Sequence, residues 1–215
     1  MVSLNEALSI VYKYYPQKVS YNEPEYINSI QFNEQLKVKK RHVASNIGEN
    51  YEKGLQQLFK NYSVANWTDL GSANCYEYRI LVHEKQQILD DDIELMRALN
   101  GTRLDLHLFI SILENYLFLF ACKTTFDFEE QEWYFENANQ YNSEILNICN
   151  KVTAYFNMIK LKEVTAKIAK KIVPDVETQY AEMGKKSIFN CLFTDLETII
   201  YETNRSCGTR DGLEL

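Results

Sequence analysis

Glycine and proline are scarce, with 7 and 3 in a chain of 215 residues. This leaves little material for glycine-rich phosphate loops or for the many tight turns of an all-β sandwich. The five cysteines, Cys75, Cys122, Cys149, Cys191 and Cys207, form an odd set without a CxxC pair. That pattern excludes both a zinc ribbon and the disulfide framework of a small secreted domain. Four of them sit among apolar neighbours and read as small core hydrophobes, whereas Cys207 lies in a polar tail and reads as exposed. The greasiest run, residues 116–122, is too short to span a bilayer, and the first sixteen residues carry neither a basic leader nor an unbroken apolar stretch. A cytosolic protein without membrane contact is expected. Walker A, GxGxxG, GxSxG, HExxH and EF-hand patterns are all missing, so the sequence supplies no short catalytic signature, and no cofactor or metal is expected.

What is there is the material of a conventional core: 46% hydrophobic residues, with 11 Phe, 15 Tyr and 2 Trp, exclude disorder over most of the length. Ser3 and Glu6 form a capping box for a first helix, in which Leu4, Ala7, Leu8, Val11, Tyr12 and Tyr15 share a face until Pro16 stops it. From Pro24, apolar residues recur at three- and four-residue steps to about Asn61, which predicts a long helix broken near Gly48. At Cys75 the period falls to two: Tyr76, Tyr78, Ile80 and Val82 alternate with Glu77, Arg79 and Leu81 as in a strand. A short helix over residues 88–99 and an Asn100-Gly101 turn follow. Next come a strand with Leu104, Leu106, Leu108 and Ile110 on one face, the aromatic run 116–125, and a strand over 131–136. Residues 138–156 predict a helix, Val164, Ile168 and Ile172 a second one ended by Pro174, and Ser187 the start of a last. The order of elements gives an α+β fold, with helical N- and C-terminal parts packed on a central antiparallel β-meander. One domain over residues 1–203 is expected, its sheet segment at about 75–136, followed by a polar tail at 204–215.

Candidate chemistry is sparse. His42, in the basic run Lys37-Val38-Lys39-Lys40-Arg41, reads as a solvated helix residue. The run itself is short and lies in a protein of net charge −7, which argues against direct nucleic-acid binding. His83 ends a strand and His107 faces away from the leucine row, so the two histidines are candidates for a pair across the sheet. Asp90, Asp91 and Asp92 with Glu94 lack the loop geometry that wraps a hard cation, and fit better as carboxylates at the positive end of a short helix.

The distribution of charge is more informative. Residues 84–136 hold twelve acidic against four basic side chains, while the segments on either side are nearly neutral. Asp127, Glu129, Glu130, Glu132 and Glu136 alternate there with Phe126, Phe128, Trp133 and Phe135, mixing carboxylates with aromatic anchors. Such a surface repels nucleic acid and steers a cationic protein toward it. The competing reading is that the acids only keep an edge strand soluble.

The chain resembles the immunity proteins of bacterial contact-dependent growth inhibition and other polymorphic-toxin systems. The resemblance lies in Tyr12-Lys13-Tyr14-Tyr15-Pro16 with Tyr21-Asn22-Glu23-Pro24-Glu25-Tyr26, in Pro174-Asp175-Val176-Glu177-Thr178, in Ile188-Phe189-Asn190-Cys191-Leu192-Phe193-Thr194-Asp195, and in the general layout. It implies a non-enzymatic cytosolic antidote that blocks the active site or substrate cleft of one cognate toxin domain, for many such toxins a basic nuclease. The residues nominated to meet that partner come from this sequence alone: Asp90, Asp91, Asp92, Glu94, Asp127, Glu129, Glu130, Glu132, Trp133 and Glu136. Two alternatives from other classes stand beside it, a hydrolase using His83 or His107 with a nearby carboxylate, and a scaffold that self-associates through its aromatic surface.

Overall fold

The computed structural model describes residues 1–89, 92–138, 143–180 and 182–195. Along them run α1 (Leu4–Tyr14), α2 (Pro24–Ile27), α3 (Ile30–Val43), α4 (Ile47–Leu58), β1 (Ser63–Asn66), β2 (Cys75–Leu81), α5 (Asp92–Ala98), β3 (Thr102–Ser111), β4 (Tyr116–Asp127), β5 (Glu132–Asn137), α6 (Ser143–Met158), β6 (Lys162–Glu163), α7 (Ala166–Ala169) and α8 (Ile188–Leu192). The strands form one sheet in the order β1-β2-β3-β4-β5, all neighbours antiparallel, and β6 pairs parallel with the start of β4. The architecture is α+β: a meander with helices before and after it. Among the described residues no helix is long and apolar enough to cross a membrane.

Capping chemistry sets several helix ends. Ser3 Oγ accepts from Glu6 N–H and Glu6 accepts from Ser3 N–H at 2.8 Å, the capping box of α1. These bonds to Ser3, together with Lys162, hold the Glu6 carboxyl down at about 2. The helix expected from Pro24 onward with one break near Gly48 is three helices with two breaks. Ser29 Oγ accepts from Phe32 N–H at 3.1 Å and restarts the chain as α3, and a second break at residues 44–46 precedes α4. Gly48 opens a close approach there, because a Cβ at that position would lie 2.7 Å from Cε1 of Tyr76. Its absence lets α4 rest directly on β2.

Register assigns the two sheet faces. Tyr76, Ile110 and Leu117 line up across β2, β3 and β4, as do Tyr78, Leu108 and Leu119. This face lies under α4 and α6: Tyr78 Oη donates to the Gly48 carbonyl at 2.7 Å, and Tyr51 meets both Tyr76 and Phe156 edge-on at 5.7 Å. The opposite face is divided. Phe109 and Phe118 pack against Phe189 of α8 and Phe193 just after it, with centroids from 5.1 to 6.5 Å apart. Each such aromatic pair adds about 0.5–1.5 kcal/mol beyond the area it buries. The remainder of that face carries Glu77, Arg79, Arg103, Asp105 and His107, in register on β2 and β3.

Arg103 ties α5 to the sheet. Its Nη1 lies 2.7 Å from Asp92 Oδ1 and its Nε 2.7 Å from Asp105 Oδ2. Leu99 and Gly101 then turn the chain into β3, Gly101 at φ 78 and Asn100 at φ 54, both in the left-handed region that an Asn-Gly turn supplies.

Candidate functional site

Four of the acidic residues nominated from the sequence, Asp127, Glu129, Glu130 and Glu132, gather at one end of the sheet. Thr102 of β3 pairs with Thr125 of β4, Phe126 N–H donates to the Gly101 carbonyl at 2.9 Å, and Asp127 pairs with Glu132. The end of α5, the start of β3, the end of β4 and the start of β5 therefore meet. The turn between β4 and β5 is folded by its own first residue: Asp127 Oδ1 accepts from the backbone of Glu129 at 2.8 Å and of Glu130 at 3.0 Å. Gln131 closes the turn at φ 57, its amide donating to the Phe128 carbonyl at 2.7 Å. Glu129, Glu130 and Glu132 are left exposed on the rim.

The Tyr134 hydroxyl braces two of these carboxylates, lying 2.9 Å from Glu132 Oε2 and 3.2 Å from Glu130 Oε2. The bond to Glu132 is the main reason that the phenol is pushed up to about 12, with Glu130 adding to it. Tyr134 was not among the nominated residues, although its spacing two residues after Glu132 on a strand places both on one face.

The other nominees divide. Asp92 is held by Arg103 and Glu136 by Lys123 at 3.2 Å, so both are paired within the molecule. Glu94 is exposed in the first turn of α5. Asp90 and Asp91 lie outside the described residues. Trp133 is half-buried and rests on Phe126 with centroids 4.5 Å apart; it supports the hairpin from beneath. The aromatic ring that faces solvent there is Phe128, 39% exposed and edge-on to Phe126 at 5.0 Å. The hairpin is thus a rigid knob with carboxylates around an apolar tip.

The histidines occupy three separate environments. His83 Nε2 accepts from Leu104 N–H at 3.0 Å, which assigns the ring proton to Nδ1 in its neutral form, and burial lowers its pKa. His107 lies opposite Arg79 in the register, four residues along the strand line from His83, so the two rings do not pair. Instead His107 stacks on Phe109, and its Nδ1 lies 3.8 Å from Glu77 Oε1. His42 is not the solvated residue its basic neighbours imply: it is half-buried with Nδ1 3.0 Å from the Tyr76 hydroxyl. Among the described residues no group of three or more His, Cys, Asp or Glu side chains is placed to hold a metal ion. Cys75, Cys122 and Cys191 are buried and Cys149 partly so, as core residues; Cys207 lies outside the described residues.

Glu77 carries a testable electrostatic cost. Its side chain is 13% exposed, Oε1 makes no hydrogen bond among the described residues, and burial pushes its carboxyl above the usual 4.5, against the pull of Arg79. A carboxyl raised on folding destabilises the protein above its folded pKa, where it is charged, and costs nothing once both states are protonated below about 4.5. Glu77→Gln is therefore expected to raise the melting temperature at pH 7 by about 2–4 °C. The gain should vanish near pH 4, as followed by circular dichroism.

The segments that carry the family resemblance meet in one corner. Tyr12 Oη donates to Asp175 at 3.0 Å and Gln17 to Asp175 at 2.6 Å; Ser20 Oγ donates to Glu177 at 2.9 Å; Tyr15 Oη donates to the Cys191 carbonyl at 2.9 Å. These bonds join α1 and the loop after it to residues more than 150 positions away, a structural role. A scan against protein-family models finds no match, and neither a search of curated proteins nor one of solved structures returns a chain similar to this one.

Proposed function

We propose that this protein is an immunity protein: it binds a cognate bacterial toxin domain, a basic nuclease, and neutralises it by occupying its active site or substrate cleft. The observation that carries this reading is the convergence of Glu129, Glu130 and Glu132 on one stiffened hairpin beside the exposed Phe128. A cleft that binds a phosphate backbone is lined by cations, and a knob of fixed carboxylates complements it without ordering cost at the moment of contact. The apolar tip supplies what charge alone does not, since rim charges mainly accelerate association while desolvated aromatic contacts hold the complex. Steering by such a field raises association rates by about 10–10³ at low salt.

The test begins with the neighbouring gene: if it encodes a large secreted protein, the chain is titrated with that protein's C-terminal domain. A saturable complex is expected, with an association rate that falls steeply as salt rises. Absence of a complex, or an association rate indifferent to salt, contradicts the reading.

One observation favours the hydrolase alternative, the 3.8 Å approach of Glu77 to His107, in which a carboxylate could orient an imidazole. A variant with His83→Ala and His107→Ala separates the two. An antidote retains its protection of cells expressing the toxin within about twofold, whereas a hydrolase loses its turnover.

A further inference from the structure

A second polar site lies at the opposite side of β2 from His107, where the break between α3 and α4 faces the turn that follows β1. The cleft there has a volume of about 370 Å³ and is open to solvent; its lining includes His42, Ser45, Gly48, Glu49, Asp69 and Tyr76. This size is within the range of small-ligand sites. The groups that are already engaged are its acceptors: Asp69 Oδ1 takes the Gly71 N–H at 2.9 Å, Asp69 Oδ2 takes the Ser72 hydroxyl at 2.5 Å, and Glu49 lies 3.6 Å from Lys53. The groups that remain are donors. Lys39 reaches the rim of the cleft, where its ammonium donates one long bond to the Gly71 carbonyl at 3.4 Å and keeps two further protons. His42 uses only Nδ1, toward Tyr76. Asn46 makes no side-chain cap and Ser45 Oγ takes the Ile47 N–H at 3.4 Å, which leaves the Gly48 and Glu49 amides of the first turn of α4 as donors.

We propose that this cleft binds a phosphate group, held by Lys39, by His42 together with the Tyr76 hydroxyl, and by the Gly48 and Glu49 amides at the start of α4. Three donor sets from different directions match a tetrahedral group with three oxygens. Lys39, within the basic run from Lys37 to Arg41, acquires a role here that the toxin-binding reading does not give it. Protonated His42 is the binding form: Nδ1–H donates to the Tyr76 oxygen, which frees both Nε2–H and the Tyr76 hydroxyl proton for the anion. In the free protein burial and Arg41 hold the imidazole below its usual pKa, and a bound dianion reverses that. The charged groups facing His42 are Arg41 and Lys39 on its own helix, Glu49 on α4 and Asp69 on the turn; Tyr76 is its neutral partner. Since the two carboxylates oppose an anion, removal of one strengthens the site.

The experiment is NMR titration of the intact chain with sulfate, inorganic phosphate and a nucleoside monophosphate at constant ionic strength, with chloride as the reference. Saturable shifts are expected at the Gly48 and Glu49 amides and at the His42 ring. In sulfate, which does not itself titrate in this range, the His42 midpoint should move up. Lys39→Gln should weaken binding about tenfold, and Asp69→Asn, which keeps the acceptor for Gly71 N–H, should tighten it. Tighter binding of the mononucleotide than of phosphate identifies a nucleotide as the ligand, and equal binding identifies the free anion. Shifts that do not saturate, an unmoved His42 midpoint, or saturation indifferent to Lys39→Gln in a variant that melts like the wild type would overturn the proposal.

Discussion

Lysine at positions 129, 130 and 132 together is expected to weaken the proposed complex with a cognate toxin domain by about a hundredfold or more, most of it through slower association. The substitution converts the three exposed carboxylates of the hairpin into cations facing a cationic cleft, so attraction becomes repulsion at the point of contact. It should leave the fold intact. The turn is formed by Asp127 and Gln131, not by the three glutamates, and all three are exposed. The salt dependence should change with the affinity: rising salt weakens the wild-type complex and screens the repulsion in the variant. A control that reverses Glu23, Glu25 and Glu182, exposed residues away from the hairpin, alters net charge equally. It separates a local effect from a global one, and affinity within about threefold of the wild type is expected for it. Equal loss in both variants would mean that net charge alone governs binding.

Arg103→Ala is expected to destabilise the fold by about 3–5 kcal/mol, measured by urea denaturation. The side chain is 7% exposed and bridges Asp105, 2% exposed, to Asp92 at 2.7 Å on either side. Its removal strands a buried carboxylate on β3 and releases the start of α5 from the sheet. Asp92→Asn leaves the buried half of the network in place and removes only a half-exposed partner, so a loss of no more than about 1 kcal/mol is expected. Replacing Arg103 by Met and Asp105 by Leu together should recover much of the stability, because a matched apolar pair carries no desolvation penalty.

The longer strands and the Asn100-Gly101 turn could be read from the sequence because local signals and tertiary structure agree there. Leu104, Leu106 and Leu108 alternate as a buried face should, and residues 131–136 anticipate β5 to within a residue. Two short strands could not be read. β1 and β6 have four and two residues, below the length at which alternation is visible. The helix expected around Val164 and Ile168 shrinks to the single turn α7. The chain before it pairs with the edge of β4 instead, Lys162 N–H donating to Asn115 and Val164 N–H to Leu117, both at 2.8 Å. Apolar spacing could not weigh that long-range pairing against helix formation.

At the site, charge arithmetic found the hairpin glutamates but not how each is used. Asp92 and Glu136 look like Glu129 in sequence, and only the fold pairs them with Arg103 and Lys123. Alternation in β2 sets Glu77 and Arg79 on the face opposite Tyr76 and Tyr78, without saying what covers that face. Both are half-buried, and Arg79 stacks under Trp67 at 3.8 Å, because the second sheet face is also covered. His42 differs from its sequence reading for a related reason: Lys37, Lys40 and Arg41 are exposed, while its own position on α3 turns it toward Tyr76.

Amide hydrogen exchange of this chain, free and saturated with the toxin domain, tests the proposed contact surface most directly. Slowed exchange concentrated at residues 127–137, with α1 and the corner around Asp175 unchanged, is the expected pattern. Protection confined to another part of the surface, with the β4–β5 hairpin exchanging as fast in the complex as in the free protein, would contradict the assignment of that hairpin as the binding element.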